Sequence, residues 1–307
     1  MVFGILEILL GALSWLFVPL MLLSLAFAGR HGAAATPPMI VPIVGLYALS
    51  GTILIWLGIG SILARRWARA LWVCLSGVGF ATGLLALPFA GYMTVIEIPR
   101  SMAANGPPGQ AAMVPFVQII LLIFLAFIYV IIPVSLFLFY RSPHVKRTCE
   151  VKDPRERWTD RCPLPVLALS LFTAFGACMM VLILPFFCAV PVFGLVVTGP
   201  PGQILMLAYA ATMLYAAWGM YRLKIGAWWL CLGVMLVVAI SGAITLAHVN
   251  LREIYLSMGF DAATASRAGE LAQRMKWLSL VWFLPWLGWV LYVRRYFVRV
   301  SQTETGI

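Results

Sequence analysis

Residues 113–140, MVPFVQIILLIFLAFIYVIIPVSLFLFY, carry no charged side chain. Their one side-chain amide is Gln118 and their one interior breaker is Pro133. An α-helix rises 1.5 Å per residue, so about 20 apolar residues cross the ~30 Å hydrocarbon layer. This run is long enough to cross, with a kink expected at Pro133. A soluble core has no place for such a segment, because its apolar surface exceeds what one packed face buries.

Working outward, the same pattern recurs on both sides. Apolar runs are expected to span at 3–28, 40–63, 70–92 and 113–140, then at 164–189, 203–221, 226–247 and 277–299. Turn signals separate them, among them Pro37-Pro38, Asn105-Gly106-Pro107-Pro108-Gly109 and Gly199-Pro200-Pro201-Gly202. The expected fold is therefore all-α, a polytopic transmembrane bundle of about eight spans. Bulk composition agrees: 63% of the 307 residues are apolar and only 10% charged, against about a quarter charged in soluble domains. Disorder is excluded by the same figures.

Charge sets the expected orientation. Arg65, Arg66, Arg69, Arg141, Lys146, Arg147, Lys152, Arg155, Arg157, Arg161, Arg222, Lys224, Arg294, Arg295 and Arg299 fall on one side of the pattern. Only Arg30, Arg100, Arg252, Arg267, Arg274 and Lys276 fall on the other. The positive-inside rule makes the richer side cytoplasmic, with both termini there. The net charge of +11 is spread in short clusters between apolar runs, a pattern that suits the membrane surface and not nucleic acid. Arginine outnumbers lysine 17 to 4, which suggests a bacterial inner membrane protein from a GC-rich genome. Ala26-Phe27-Ala28 is like a signal-peptidase site, but no basic residue precedes the apolar stretch and the stretch is too long for a signal core. The first helix is expected to be retained.

Two pairs of segments suggest an internal duplication. Arg65–Leu75 (RRWARALWVCL) aligns with Arg222–Leu232 (RLKIGAWWLCL) through Ala70/Ala227, Trp72/Trp229, Cys74/Cys231 and Leu75/Leu232. Further on, EIPRSM at 97–102 matches EIYLSM at 253–258 at nearly the same offset. The expectation is two parallel four-helix repeats, 1–140 and 164–307, joined by a basic cytoplasmic linker at 141–163. Four spans per unit keep both units in one orientation, as in parallel transporter repeats. The linker is expected to be a solvated connector beside anionic headgroups, or else a docking surface for a cytoplasmic partner. The segment before the last span places a polar helix from Asp261 or Thr264 onward, with Gly269 as its weak point.

Chemistry-bearing residues inside the spans are few. Glu7 lies about one turn into the first helix, where a carboxylate can snorkel to water or pair with a nearby cation; a cation or proton path is the sharper reading. Glu97 and Glu253 are repeat equivalents on the outer side, either capping short interfacial helices or lining a mouth or ligand site. Gln118 is expected to bond between helices. His31 and His248 are weak candidates for haem ligation, because both stand at helix ends. No zinc or redox cysteine pair, nucleotide loop or hydrolase motif occurs, and no cofactor is expected. These features favour a non-catalytic subunit or scaffold of a membrane complex, with the bilayer and other membrane subunits or further copies of itself as partners. The alternative is a transporter or channel with a site at the repeat interface.

Overall fold

The computed structural model describes residues 2–30, 40–97, 114–185, 189–257 and 283–304, together with 262, 265, 266, 269, 270 and 273. Among these residues, seven helices are long and apolar enough to cross a membrane. They cover Val2–Leu23, Pro42–Ile62, Arg66–Ile96, Pro115–Arg141, Leu164–Ile183, Gly199–Tyr221 and Ile225–His248. The chain is a multi-pass α-helical membrane protein, and seven of the expected spans fall on these helices. Two compact units are distinguishable, one of residues Leu63–Leu164, the other of Met1–Ile62 with Pro165–Ile307.

In the Leu63–Leu164 unit, α3 (Arg66–Tyr92) runs into a π-helical turn at Met93–Glu97. The following span consists of α4 (Val114–Ala126), a π turn at Phe127–Ile131 and α5 (Ile132–Arg141). The π turn answers the expected kink: Pro133 has no N–H to give the Tyr129 carbonyl. The chain absorbs that loss by widening one turn, in which the Ile132 N–H bonds Phe127 O. Gln118 bonds between helices as expected, its Nε2 donating to Thr94 O at 2.5 Å.

The other unit opens with α1 (Val2–Arg30) and α2 (Ile40–Ile62) packed along a glycine seam. Gly4 and Gly11 face Gly58 and Gly51. A Cβ on Gly4 would stand 2.9 Å from the Gly58 carbonyl oxygen, and one on Gly58 2.8 Å from that of Gly4. Gly11 and Gly51 approach each other's carbonyls at the same 2.8 Å. The seven-residue spacing on each helix keeps the small residues on one stripe. In lipid, where no hydrophobic effect drives helices together, such backbone proximity is a main source of attraction. Trp15 Nε1 adds a 3.1 Å bond to Thr52 Oγ1.

The fifth span departs from expectation. Its helix α7 (Leu164–Ile183) ends before Pro185, whose ring disfavours helix in the residue before it. A hairpin follows instead, β1 (Ala189–Val192) paired antiparallel with β2 (Leu195–Thr198). Gly199-Pro200-Pro201-Gly202, expected as a turn, is the first turn of α8 (Gly199–Tyr221). Prolines are tolerated there because those N–H groups have no intrahelical acceptor.

Helix α9 (Ile225–His248) follows a tight turn with Leu223 at φ +55. Short α10 (Leu251–Ser257) and long α11 (Phe283–Glu304) complete the unit. Ser170 Oγ on α7 donates to Ala217 O on α8 at 2.6 Å. Buried Trp228 donates from Nε1 to Val290 O at 2.8 Å, tying α9 to α11. Of the expected eighth span 277–299, only the part from Phe283 lies within the described residues.

Candidate functional site

Polar groups inside the apolar helices are spent mostly on the backbone. Ser14, Thr52, Ser76, Thr173, Thr212 and Thr245 each donate to the carbonyl four residues earlier. Lipid offers no water to take these hydroxyls, so each bond removes a polar group from hydrocarbon at the cost of a slightly loosened helix.

Two hydroxyls do more. The tip of the β1–β2 hairpin takes positive φ at both central residues, +44 at Phe193 and +95 at Gly194, as a two-residue type I′ turn requires. For a bulky residue like Phe193 that conformation is strained. The turn is docked on α9: Phe193 N donates to Ser241 Oγ at 2.9 Å, and Gly194 N to Thr245 Oγ1 at 3.0 Å. Ser241 Oγ in turn donates to Pro191 O at 2.8 Å. Ser241 lies seven residues before the end of α9, about 10 Å along it. Irregular backbone at that depth persists only where protein satisfies its N–H groups. Ser241→Ala combined with Thr245→Val is therefore expected to free the hairpin. Each orphaned N–H costs about 1–3 kcal/mol, and amide exchange across 189–198 should rise sharply while α9 stays protected.

The segment 141–163 is a folded cap and not a plain connector. Ser142 opens α6 (Pro143–Lys152), its Oγ accepting from Val145 N at 3.4 Å. After a bend, a 3₁₀ turn covers Trp158–Arg161. Asp153 is the keystone, only 2% exposed. Its carboxylate accepts two bonds from Arg157, Nε to Oδ2 at 3.1 Å and Nη2 to Oδ1 at 2.9 Å. Arg65 Nη1 stands 3.9 Å away. Arg66 donates to Glu150 O and Arg69 to Tyr140 O, so the arginines that open α3 hold the cap down. Three cations in a helix's first turn oppose its dipole; the buried carboxylate between Arg65 and Arg157 offsets that.

The Arg157 hydrogen bonds hold the Asp153 carboxyl below the usual carboxylate range, against the opposing effect of burial. Such a group stabilises the fold above its unfolded pKa near 4, and that contribution is lost as pH falls through the folded value. The cap is thus intact at neutral pH and expected to loosen on acidification below about pH 4. Asp153→Asn should abolish that acid-dependent step and expose the cap to protease at neutral pH. Cys149 and Cys162 lie buried beneath, and no cysteine there is disulfide-bonded. Burial pushes the Cys162 thiol up to about 11 and raises Cys149 as well. Both are neutral thiols at pH 7, and their contribution to stability is lost as pH rises past the ordinary thiol range.

The expected site residues fall in separate places. Glu7 sits on the glycine seam of α1 between Gly4 and Gly11, only 2% exposed, so its carboxylate does not snorkel to water. Glu253 is exposed in the first turn of α10, where a carboxylate suits the helix dipole; Asn250 accepts at that start, from Arg252 N at 3.1 Å. Glu97 closes the π turn after α3, and its side chain lies outside the described residues. The two glutamates belong to different compact units. His248 is exposed at the end of α9, its Nδ1 2.9 Å from Ile244 O. His31 lies outside the described residues, as do Asp261 and Thr264. Among the described residues, no three His, Cys, Asp or Glu side chains gather as a metal site.

Beside α10 an open cleft of about 540 Å³ is lined by Asn250, Arg252, Ser266, Gly269, Glu270 and Gln273. Arg252 Nε donates to Ser266 Oγ across it at 3.0 Å. Gly269 is a packing contact: a Cβ there would stand 2.8 Å from Arg252 Cα. The hairpin dock was not singled out in the sequence as a site, whereas 141–163 was expected as a solvated connector or a docking surface. A signal for the hairpin did exist, in the β-branched run at 189–198 around Phe193-Gly194.

Comparison of the chain with protein-family models, with curated proteins and with solved structures finds no match.

Proposed function

We propose that this chain is a non-catalytic subunit or scaffold of a membrane complex. One observation carries the reading: among the described residues, the hydroxyl and indole groups of the spans are spent largely on protein backbone, within their own helix or on a neighbouring element. Hydroxyls bond backbone carbonyls, Ser170 and Trp228 bridge neighbouring helices, and Ser241 and Thr245 anchor the hairpin. Ionisable groups facing a shared cavity are the usual mark of a catalyst or carrier in lipid. In this reading Glu7, Glu97 and Glu253 serve packing and helix ends.

In the finer form of the proposal, α11 with the residues before it makes an eighth span, and both termini lie on the cytoplasmic side with the basic segments. The chain then consists of two four-helix halves, 1–140 and 164–307. The support for the halves is the paired sequence anchors; α3 and α9 also each follow a three-residue turn whose middle residue is left-handed, Ala64 at φ +49 and Leu223 at φ +55, but these stand two residues out of register with the Arg65/Arg222 alignment. The aligned tryptophans do not add to that support, since Trp72 is 4% exposed and Trp229 54%.

Gentle solubilisation of the tagged protein from its native membrane, followed by mass spectrometry, tests the proposal. A stoichiometric membrane companion is the expected result. Isolation of the chain alone, together with altered ion or solute flux in Glu97→Gln/Glu253→Gln, would replace the scaffold by a transporter. A cysteine at exposed Thr148 tests orientation: labelling from the cytoplasmic side alone is expected.

A further inference from the structure

The cap at 141–163 presents more positive charge than its own fold consumes. Arg157 and Arg65 are engaged with Asp153, and Lys146 lies 3.8 Å from Glu150. Arg147, Lys152, Arg155 and Arg161 are exposed and make no ion pair among the described residues. Arg141 is exposed as well, with its guanidinium over the Phe137 ring. On α6 the inward positions are Val145 and Cys149, so His144, Arg147 and Val151 share the opposite, exposed side. Val151 is 82% exposed and Trp158 40%. Cations interleaved with an exposed aliphatic and an exposed indole are the composition of a surface that meets headgroups and the upper acyl boundary.

Two further facts select the partner. The cap is preorganised: the Asp153 bonds and the Arg66 and Arg69 contacts fix it before anything binds. It is also short-tethered. The chain leaves α5 at Arg141 and enters α7 at Leu164, and α6 is only about 15 Å long. A cap so tied to the ends of spanning helices stays within reach of the headgroup layer, where the nearest abundant anions are lipid phosphates. We propose that this cap is a binding surface for the phosphate headgroups of anionic phospholipid, carried by Arg147 and Arg155, with Val151 and Trp158 at the acyl boundary. This goes beyond the scaffold reading and stands whether or not a protein partner is found.

The test uses the full chain purified in a neutral detergent and titrated with fluorescent short-chain phosphatidylglycerol, against phosphatidylcholine of the same chain length. Phosphatidylglycerol is expected to bind, and its affinity to fall steeply with added sodium chloride. A cation near a membrane surface contributes about five-fold in affinity, so Arg147→Gln/Arg155→Gln should weaken phosphatidylglycerol on the order of 30-fold. These side chains lie outside the Asp153 network, so the melting temperature without lipid should be unchanged. Arg222→Gln/Lys224→Gln, which removes charge from the turn before α9, should bind like wild type. Equal loss in both variants, or none in the first, overturns the proposal. Salt-insensitive wild-type binding also overturns it, whatever the variants do. Full competition by equimolar inorganic phosphate would overturn the lipid assignment in favour of a soluble anion.

Discussion

Gly58→Leu is expected to prise α1 from α2 and to be among the most damaging single substitutions in the chain. The Cβ alone would meet Gly4 O at 2.8 Å and the Ile8 side chain at 2.7 Å. The first of these is backbone and cannot rotate away, so the helices themselves must separate. Overpacking of a tight contact costs about 1–3 kcal/mol, and a leucine at a backbone contact belongs at the upper end of that range. Separation also breaks the reciprocal approach at Gly11 and Gly51, because both pairs lie on one stripe. Gly58→Ala should already lower the melting temperature in detergent, and Gly58→Leu more so. Gly242→Ala on α9 is the control, since a Cβ there meets nothing within 4 Å. If Gly58→Leu melts like wild type, α1 and α2 are not held together by this seam.

The second large effect is expected at Gly83 on α3. A methyl group there would overlap the Tyr129 carbonyl of the facing span. That carbonyl is the one Pro133 leaves without its helical N–H, and the π turn at Phe127–Ile131 surrounds it. Gly83 therefore accommodates the backbone bulge that a proline imposes on its neighbour. Gly83→Ala is expected to cost about 1–3 kcal/mol in thermal or denaturant unfolding. Gly91→Ala, with nothing within 4 Å, and Gly77→Ala, whose nearest neighbour is 3.5 Å away, should be nearly silent. Equal losses at the three positions would show that the Tyr129 contact is not what makes Gly83 necessary, since alanine by itself favours helix over glycine.

How much of this was legible in advance varies by feature. The spans were, because length and the absence of charge suffice: a segment such as 113–140 has no other stable solvent. A break in regular helix geometry at Pro133 was legible too, since a missing N–H is a local property, and so was the Gln118 bond, since an amide in lipid needs a partner. The GPPG segment misled because prolines both make turns and open helices. The apolar run continuing past Ile183 did not distinguish helix from hairpin, since Val and Phe serve either.

Sequence alone thus determined the membrane class and seven of the helices, because those depend on the composition of contiguous stretches. Tertiary structure decided which polar residues are inside. Glu7 is buried because it lies on the face of α1 that packs on α2. The hairpin stands because Ser241 and Thr245, some fifty residues further along, satisfy its tip. Asp153 is a keystone because Arg65 returns from the start of a distant helix to share it with Arg157. Each of these depends on a partner far off in the chain, and the desolvation that makes the partner necessary arises only once the helices pack.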